Sequence, residues 1–337
     1  MATIKQISEK SGYSPSTVSI VLRGLSTARG IPESTQKIIM ATARELGYQP
    51  NVSARRLRSS DLEKKNIAVF WASDFRAILV AQFLQGLQRY IVEQNLDFEM
   101  IVCPYTPDNL CKSATQRTLN MYSGAIICTA SLNDINYIEH LDTTCPIVLY
   151  NRISERFPCV GVDNHKIGRA AAKKFYMDSC KRVMVIADRA GRGYSRQRIN
   201  GCIDELIGTG IPVEEVFIDA NSIFHGRKCV RTLPPIKEKT GMFVMSDYVA
   251  FGILDELNKQ QISIPDQIEI ISIGTSEPEL YHCLHPSLSV IMVPIEEMAY
   301  HCAEVLNDRL SRITQEVVKV EVPFCIRFAE STLPDHE

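Results

Sequence analysis

The chain opens with Thr3-Ile4-Lys5-Gln6-Ile7-Ser8-Glu9-Lys10-Ser11-Gly12-Tyr13-Ser14-Pro15-Ser16-Thr17-Val18-Ser19-Ile20-Val21-Leu22, and this segment settles what kind of protein follows. Thr3 is placed to cap a helix in which Ile4, Ile7 and Ser11 share one face, and Gly12 supplies the turn that ends it. Ser14 reads as the N-cap of a second helix with Pro15 at its first position, where a missing N–H costs nothing. Val18, Val21 and Leu22 give that helix an apolar stripe. A third helix is predicted from about Pro32, with Thr35, Ile39, Thr42 and Leu46 turned inward and Gly47 as its stop. Three short helices around one small core, the first two joined by a tight Gly-containing turn, spell a helix-turn-helix.

Charge supports a nucleic-acid role for this head. The 337-residue chain carries a formal net charge of only −2. Residues 1–65, however, hold eleven Lys/Arg against five Asp/Glu, a balance of +6, which leaves 26 against 34, or −8, for residues 66–337. A basic head on an acidic body is the asymmetry of a polyanion-binding module joined to something else. The head has no Phe or Trp to insert into lipid, so double-stranded DNA is favoured over a membrane surface. No apolar run approaches the ~20 residues of a membrane helix and no signal-peptide pattern opens the chain, so a cytoplasmic protein is expected. All eleven cysteines lie from Cys103 onward, odd in number and without C-x-x-C spacing, which points to free thiols. His282-Cys283-x-His285 lacks a second ligand pair, so no metal is expected, and no cofactor.

At these residues a family resemblance becomes specific. Ala2-Thr3-Ile4-Lys5-Gln6-Ile7, then Thr17-Val18-Ser19, then Thr35-x3-Ile39-x6-Leu46-Gly47-Tyr48-x-Pro50-Asn51 resembles the DNA-binding head of the LacI/GalR (lactose-repressor) transcription regulators. The resemblance implies a homodimer that lays the Ser14–Leu22 helix of each subunit in the major groove of a near-palindromic operator. It implies DNA contacts from Thr3, Lys5, Ser14, Pro15, Ser16, Thr17, Ser19, Ile20 and Arg23, and from Asn51, Ala54, Arg55, Leu57 and Arg58 in a hinge. Asn51–Arg58 is too short to hold a helix alone, and Leu57 matches the family leucine that wedges into a minor-groove step. Family members read bases mainly with the two residues opening the recognition helix and a polar residue after Thr-Val-Ser. Here these are Pro15, Ser16 and Ile20. Pro and Ile make no bidentate base contacts, so readout is expected to rest on Ser16 and on a thymine methyl at Ile20.

From about Asn66 the pattern changes. Strand-like runs Ile67–Ala72, Phe98–Cys103, Ala125–Thr129 and Ile147–Tyr150 alternate with helical stretches Ala77–Gln94, Asn109–Met121 and Asp134–His140. A second set runs through Val183–Ala187, Arg196–Ile207, Glu215–Ile218, Arg227–Thr232, Met242–Met245, Tyr248–Lys259 and Ile268–Ile273. Such alternation predicts two α/β lobes with parallel sheets, and ligands of such sheets sit at the carboxyl ends of the strands. The expected fold is an all-α helix-turn-helix head followed by an α/β two-lobed domain. Its divisions are 1–49 for the head, 50–65 for the hinge helix and linker, and 66–337 for effector binding and dimerisation.

The resemblance extends through the body as a periplasmic-binding-protein-like sensor domain. Its marks include Pro146-Ile-Val-Leu-Tyr-Asn-Arg152, Val162-Asp163-Asn164 with Gly168, Arg196-x-Arg198-x2-Gly201 and Ser246-Asp247-x2-Ala250-x-Gly252. The effector residues expected are Asp74, Phe75, Cys128, Asn151, Arg198, Asn221, Ser246, Asp247 and Gly274. Arg198 stands where the family uses an arginine on the ligand. Asn151 replaces a usual Asp, Ser246 a usual Asn, Asn221 a ring-stacking aromatic, and Gly274 an acid that grips hydroxyls. Losing that acid near Arg189, Arg192, Arg196 and Arg198 predicts an anionic effector, a phosphorylated or carboxylated metabolite; the competing reading makes these arginines a solvated loop. Cys128 is expected either at the ligand or as a small core thiol. No G-x-S-x-G elbow, Walker A loop or dinucleotide fingerprint is present, so no enzyme is expected. The function expected is a sequence-specific transcriptional regulator, a repressor, gated by a small metabolite. The alternative is a regulator whose sensor answers to a protein partner or has lost its small molecule.

Overall fold

The computed structural model describes residues 3–22, 30–46, 64–73, 77–189, 192–314 and 316–334, without the side chains of 77, 78 and 192–194. The chain divides into two compact units, Met1–Glu63 and Lys64–Glu337. In the first, Thr3 and Gln6 close a capping box: Thr3 N donates to Gln6 Oε1 at 2.8 Å and Gln6 N to Thr3 Oγ1 at 3.3 Å. This starts α1 (Ile4–Ser11), which Gly12 ends in the left-handed region at φ +76°. Ser14 Oγ accepts from Thr17 N at 3.2 Å and so caps α2 (Pro15–Leu22). The third helix is α3 (Glu33–Glu45). Ile7, Val18, Val21, Ile39 and Ala43 form the core. Thr35 and Leu46, expected inside, are only half-buried, and Ala43 takes the inward place because it lies one turn past Ile39.

The second unit contains β1 (Lys65–Ala72), α4 (Ala77–Glu93), β2 (Phe98–Tyr105), α5 (Leu110–Ser113), α6 (Gln116–Leu119), β3 (Gly124–Cys128), α7 (Leu132–His140), β4 (Ile147–Tyr150) and β5 (Cys159–Gly161). The chain continues through α8 (Asn164–Met177), β6 (Arg182–Asp188), α9 (Arg192–Leu206), β7 (Val213–Ile218), α10 (Ile223–Thr232), β8 (Thr240–Val244), α11 (Asp247–Lys259) and β9 (Ile268–Gly274). It ends with α12 (Pro278–His282), β10 (Ser289–Met292), α13 (Ile295–Leu310), β11 (Lys319–Glu321) and β12 (Cys325–Arg327). One sheet has the order β11-β5-β4-β3-β1-β2 and is parallel throughout; the other runs β12-β10-β9-β8-β6-β7, with only the β10–β12 pair antiparallel. These are the two α/β lobes the alternation implied.

Two long helices fall outside that alternation because they are crossovers. The chain leaves the first sheet at β5 and enters the second lobe through α8; it leaves the second sheet at β10 and returns through α13, which packs on α4 and on β3, β4 and β5. The single helix expected over Asn109–Met121 is instead two one-turn helices, since Thr115 starts a new one by accepting from Thr118 N at 3.1 Å. The α9 helix begins at Arg192, earlier than the expected Arg196.

The glycines in the sequence marks acquire a packing role. A Cβ on Gly168 of α8 would land on the Arg198 carbonyl of α9, and one on Gly201 would land on the His165 carbonyl. The two helices therefore cross with backbones in contact, and this crossing places the start of α9. Gly226 and Gly252 do the same for α10 and α11, facing the carbonyls of Val249 and Ile223.

Candidate functional site

On the first unit, α2 turns Val18 and Val21 into the core and leaves Pro15 and Ser16 exposed at its start, with Thr17, Ser19 and Ile20 half-buried along the same outer side. Thr3, Lys5 and Ser14 are also exposed. Ser14 Oγ and Thr17 Oγ1 lie 2.9 Å apart, so these two hydroxyls are organised together. The helix thus offers small polar groups and one aliphatic side chain, a surface suited to a thymine methyl and a hydroxyl contact. Arg23 and the hinge residues Asn51, Ala54, Arg55, Leu57 and Arg58 lie outside the described residues.

In the second unit a cavity of about 60 Å³ lies at the carboxyl ends of both sheets. The first lobe contributes Leu79, Thr129, Tyr150, Asn151 and Arg152; the second contributes Arg198, Met245, Ser246, Ile273, Thr275 and Val293, with Ile295 from the returning crossover. Of the expected effector residues, Asn151, Arg198 and Ser246 meet here. Arg198 is buried, and its Nε donates to Asn164 Oδ1 at 2.8 Å; Asn164 Nδ2 donates in turn to Asn151 Oδ1 at 3.1 Å. This relay runs from the second lobe to the first and holds the guanidinium against the cavity. Arg152 Nη1 donates to Asn151 O at 2.6 Å and its Nε donates to Ala130 O, which fixes a second guanidinium on the opposite wall. Among the described lining residues there are two arginines and no carboxylate.

Backbone strain marks the same place. Asn151 has φ +51°, which Asn tolerates, and Thr129 has φ +56°, which a β-branched residue seldom adopts. Both follow the last residue of a strand, and Thr129 is held by accepting from Ala72 N at 2.9 Å and donating to Cys128 O at 2.7 Å. Ser246 stands before α11 with its Oγ buried and without a hydrogen-bond partner.

Other expected residues stand elsewhere. Asp247 is fully buried, its Oδ2 accepting from Thr275 N, Ser276 N, Ser276 Oγ and Tyr281 OH at 2.8–2.9 Å, so it builds the loop that carries Thr275. Gly274 turns away from the cavity: a Cβ there would meet Met292 Sδ at 2.6 Å and Tyr281 OH at 3.1 Å. Cys128 lies inside the apolar core, where burial pushes its thiol well above the ordinary range. Asn221 is buried outside the cavity lining, its Nδ2 donating to Asp188 Oδ2. Asp74 and Phe75 lie outside the described residues. The arginine cluster is divided: Arg189 reaches Asp219 at 3.5 Å, Arg196 pairs with Glu215 at 2.8 Å on the surface, and Arg198 alone of the three enters the cavity. Arg192 carries no described side chain.

Sequence reasoning missed Thr129, Tyr150, Arg152 and Thr275 as lining residues. Tyr150 and Arg152 flank Asn151 within the Pro146–Arg152 run, so the signal was adjacent to a residue already chosen. Thr129 and Thr275 each lie one position past Cys128 and Gly274, a step that reverses the face on which a strand residue points.

A helix-turn-helix unit joined to two parallel α/β lobes with a polar cavity at their facing edges is the build of a DNA-binding regulator with a sensor domain. Comparison with known proteins agrees. Residues 172–332 match the periplasmic binding protein-like domain. The "Probable HTH-type transcriptional repressor ExuR" of Bacillus subtilis (strain 168) is 28% identical over 332 residues, covering 95% of this chain and 94% of the relative. A crystal structure of a LacI family transcription regulator from Clostridium acetobutylicum is 31% identical, with a TM-score of 0.71, covering 79% of this chain and 100% of that one. The lac repressor dimer bound to operator and the anti-inducer ONPF shares the fold at 19% identity, with a TM-score of 0.69 and 99% of both chains covered. The chain belongs to the LacI family of transcription regulators, and not to a family of enzymes.

Proposed function

We propose that this protein is an operator-binding repressor, acting as a homodimer, whose grip on DNA is set by an anionic metabolite held between the two lobes. The observation that carries the anionic reading is the cavity wall: Arg198 on one side, Arg152 on the other, an unsatisfied Ser246 hydroxyl, and no carboxylate among the described lining residues. A carboxylate or phosphate accepts from guanidinium groups more strongly than a neutral hydroxyl does. The three-helix unit supplies DNA recognition, with Ser16 and Ile20 on the exposed side of α2 as the base-contacting pair and Thr3, Lys5, Ser14 and Thr17 as neighbours to phosphate. Each unit reads one half-site, so a two-fold dimer fits a near-palindromic operator.

The mechanism is linkage. A cavity of about 60 Å³ holds only a few water molecules, so a metabolite enters when the lobes part and then bridges walls belonging to both. A ligand that binds one lobe arrangement better shifts the population toward it, and operator affinity follows by the same coupling energy.

Operator binding by the full chain, measured with neutral hexoses, hexose phosphates and sugar acids, tests this. A change of several-fold or more with an acid or phosphate and none with a neutral sugar is expected, with Arg198→Ala abolishing it. A response confined to neutral sugars would sink the anionic reading. Intact operator binding indifferent to every metabolite would move the sensor to a protein partner.

A further inference from the structure

Along the second sheet the cavity wall follows the strand ends in order: Val293 after β10, Thr275 after β9, then Met245 and Ser246 after β8. The next strand ends in that order are those of β6 and β7, and they carry Asp188 and, three residues past Ile218, Asn221. Both are buried, at 6% and 9% exposure, and Asn221 Nδ2 donates to Asp188 Oδ2. Arg189 N donating to Ile218 O at 3.0 Å holds the two strand ends together.

The sheet register adds a second observation. Ile186, Val244 and Ser272 lie side by side on β6, β8 and β9. Asp188 and Gly274 each stand two residues beyond that row, so they share one face of the sheet, two strands or about 10 Å apart. Ser246, two residues beyond Val244, stands between them with its buried, unpartnered hydroxyl on the cavity. Gly274 brings no carboxylate to this face; Asp188 does.

We infer that Asp188 and Asn221 form a hydroxyl-binding subsite continuous with the cavity, and that the effector is a polyhydroxylated acid. Its anionic end meets Arg198 and Arg152, and its hydroxyls meet Ser246, Asp188 and Asn221. A carboxylate accepts from two hydroxyls while an amide both donates and accepts, which suits a vicinal diol. Asp188 also repels the anionic end, so it fixes the direction in which the ligand lies. This inference rests on the anionic reading above.

Calorimetric titration of the full chain tests it with D-glucuronate, D-galacturonate, D-gluconate, glucose 6-phosphate, neutral glucose, and cyclohexanecarboxylate as an acid of similar size without hydroxyls. The wild type should prefer its best hydroxylated ligand over cyclohexanecarboxylate by about tenfold or more. Asp188→Asn, which keeps the shape, and Asn221→Ala should each erase most of that preference while leaving cyclohexanecarboxylate affinity in place; general structural damage would lower both. An unchanged preference in both variants overturns the subsite and leaves the anionic reading standing. A wild type that binds glucose as tightly as any acid, or binds no acid at all, overturns the anionic reading and this inference with it.

Discussion

The two units of this chain put their functional groups together in opposite ways. On the first, the exposed Pro15 and Ser16 and the half-buried Thr17, Ser19 and Ile20 are consecutive or nearly so on one eight-residue helix, and their positions follow from the helix repeat once Val18 and Val21 are inside. In the second, the cavity is assembled from the ends of β3, β4, β8, β9 and β10 together with the start of α9, so residues as distant as Thr129 and Val293 share it. A contiguous site is as stable as its own small core. A site made of strand ends depends on the packing of the whole sheet, and here on the contact between α8 and α9 at Gly168.

The largest break in this comparison should come from the small core. Ile39 is fully buried among only five core residues, so Ile39→Ala should cost about 2–5 kcal/mol and unfold the head. Operator affinity, read by electrophoretic shift, is expected to fall more than tenfold, while the thermal transition of the Lys64–Glu337 unit stays in place. A proportional loss in both would show that the two units do not fold separately.

A smaller effect separates the two ends of the second lobe. Glu269 at the amino end of its sheet is fully buried, and burial pushes its carboxyl up to about 8, with Asp178 raising it further and Lys239 Nζ at 2.7 Å opposing. The folded chain therefore keeps a proton that the unfolded chain, with an ordinary value of 4.5, releases. Glu269 contributes its full stability below about pH 4.5, and that contribution is lost as pH rises to about 8. Unfolding midpoints between pH 5 and 8.5 should fall with pH in the wild type and flatten in Glu269→Gln. An identical slope in the variant would place the titration elsewhere. Effector affinity should not follow this slope, because the cavity lies at the opposite, carboxyl edge of the sheet.

The smallest effect sharpens the reading of the head. Replacing the half-buried Ile20 by Arg should change base preference at one operator position by about 1–3 kcal/mol and leave the other positions alone. Binding-site selection that returns the same motif for Ile20→Arg would remove Ile20 from the interface.

Much of this was legible in the residues. The capping Thr3, the turn at Gly12, the Ser14-Pro15 start and the inward valines all stand where their local chemistry put them. The two lobes were legible from strand–helix alternation, whereas α8 and α13 were not, since a crossover answers to the lobe it enters rather than to the strand before it. The cavity was half legible. Asn151, Arg198 and Ser246 were found by their place in motifs, but Gly274 and Asp247 looked equally good and turned out to face Met292 and to hold the loop of Thr275.

What the sequence determined by itself was everything governed by neighbours within a few positions: the three helices of the head, the strand and helix types of the body, and the split of a near-neutral chain into a basic and an acidic part. Only the tertiary structure decided which charges remain where a ligand could feel them. Arg189, Arg196 and Arg198 read as one basic cluster in the chain, yet Asp219 and Glu215, brought from other strands, take the first two onto the surface. Arg198 alone is carried inward and joined there by Arg152 from the other lobe. Electrostatic partners are set by distance in space, and in a parallel sheet the residues nearest in space come from strands far apart in the chain.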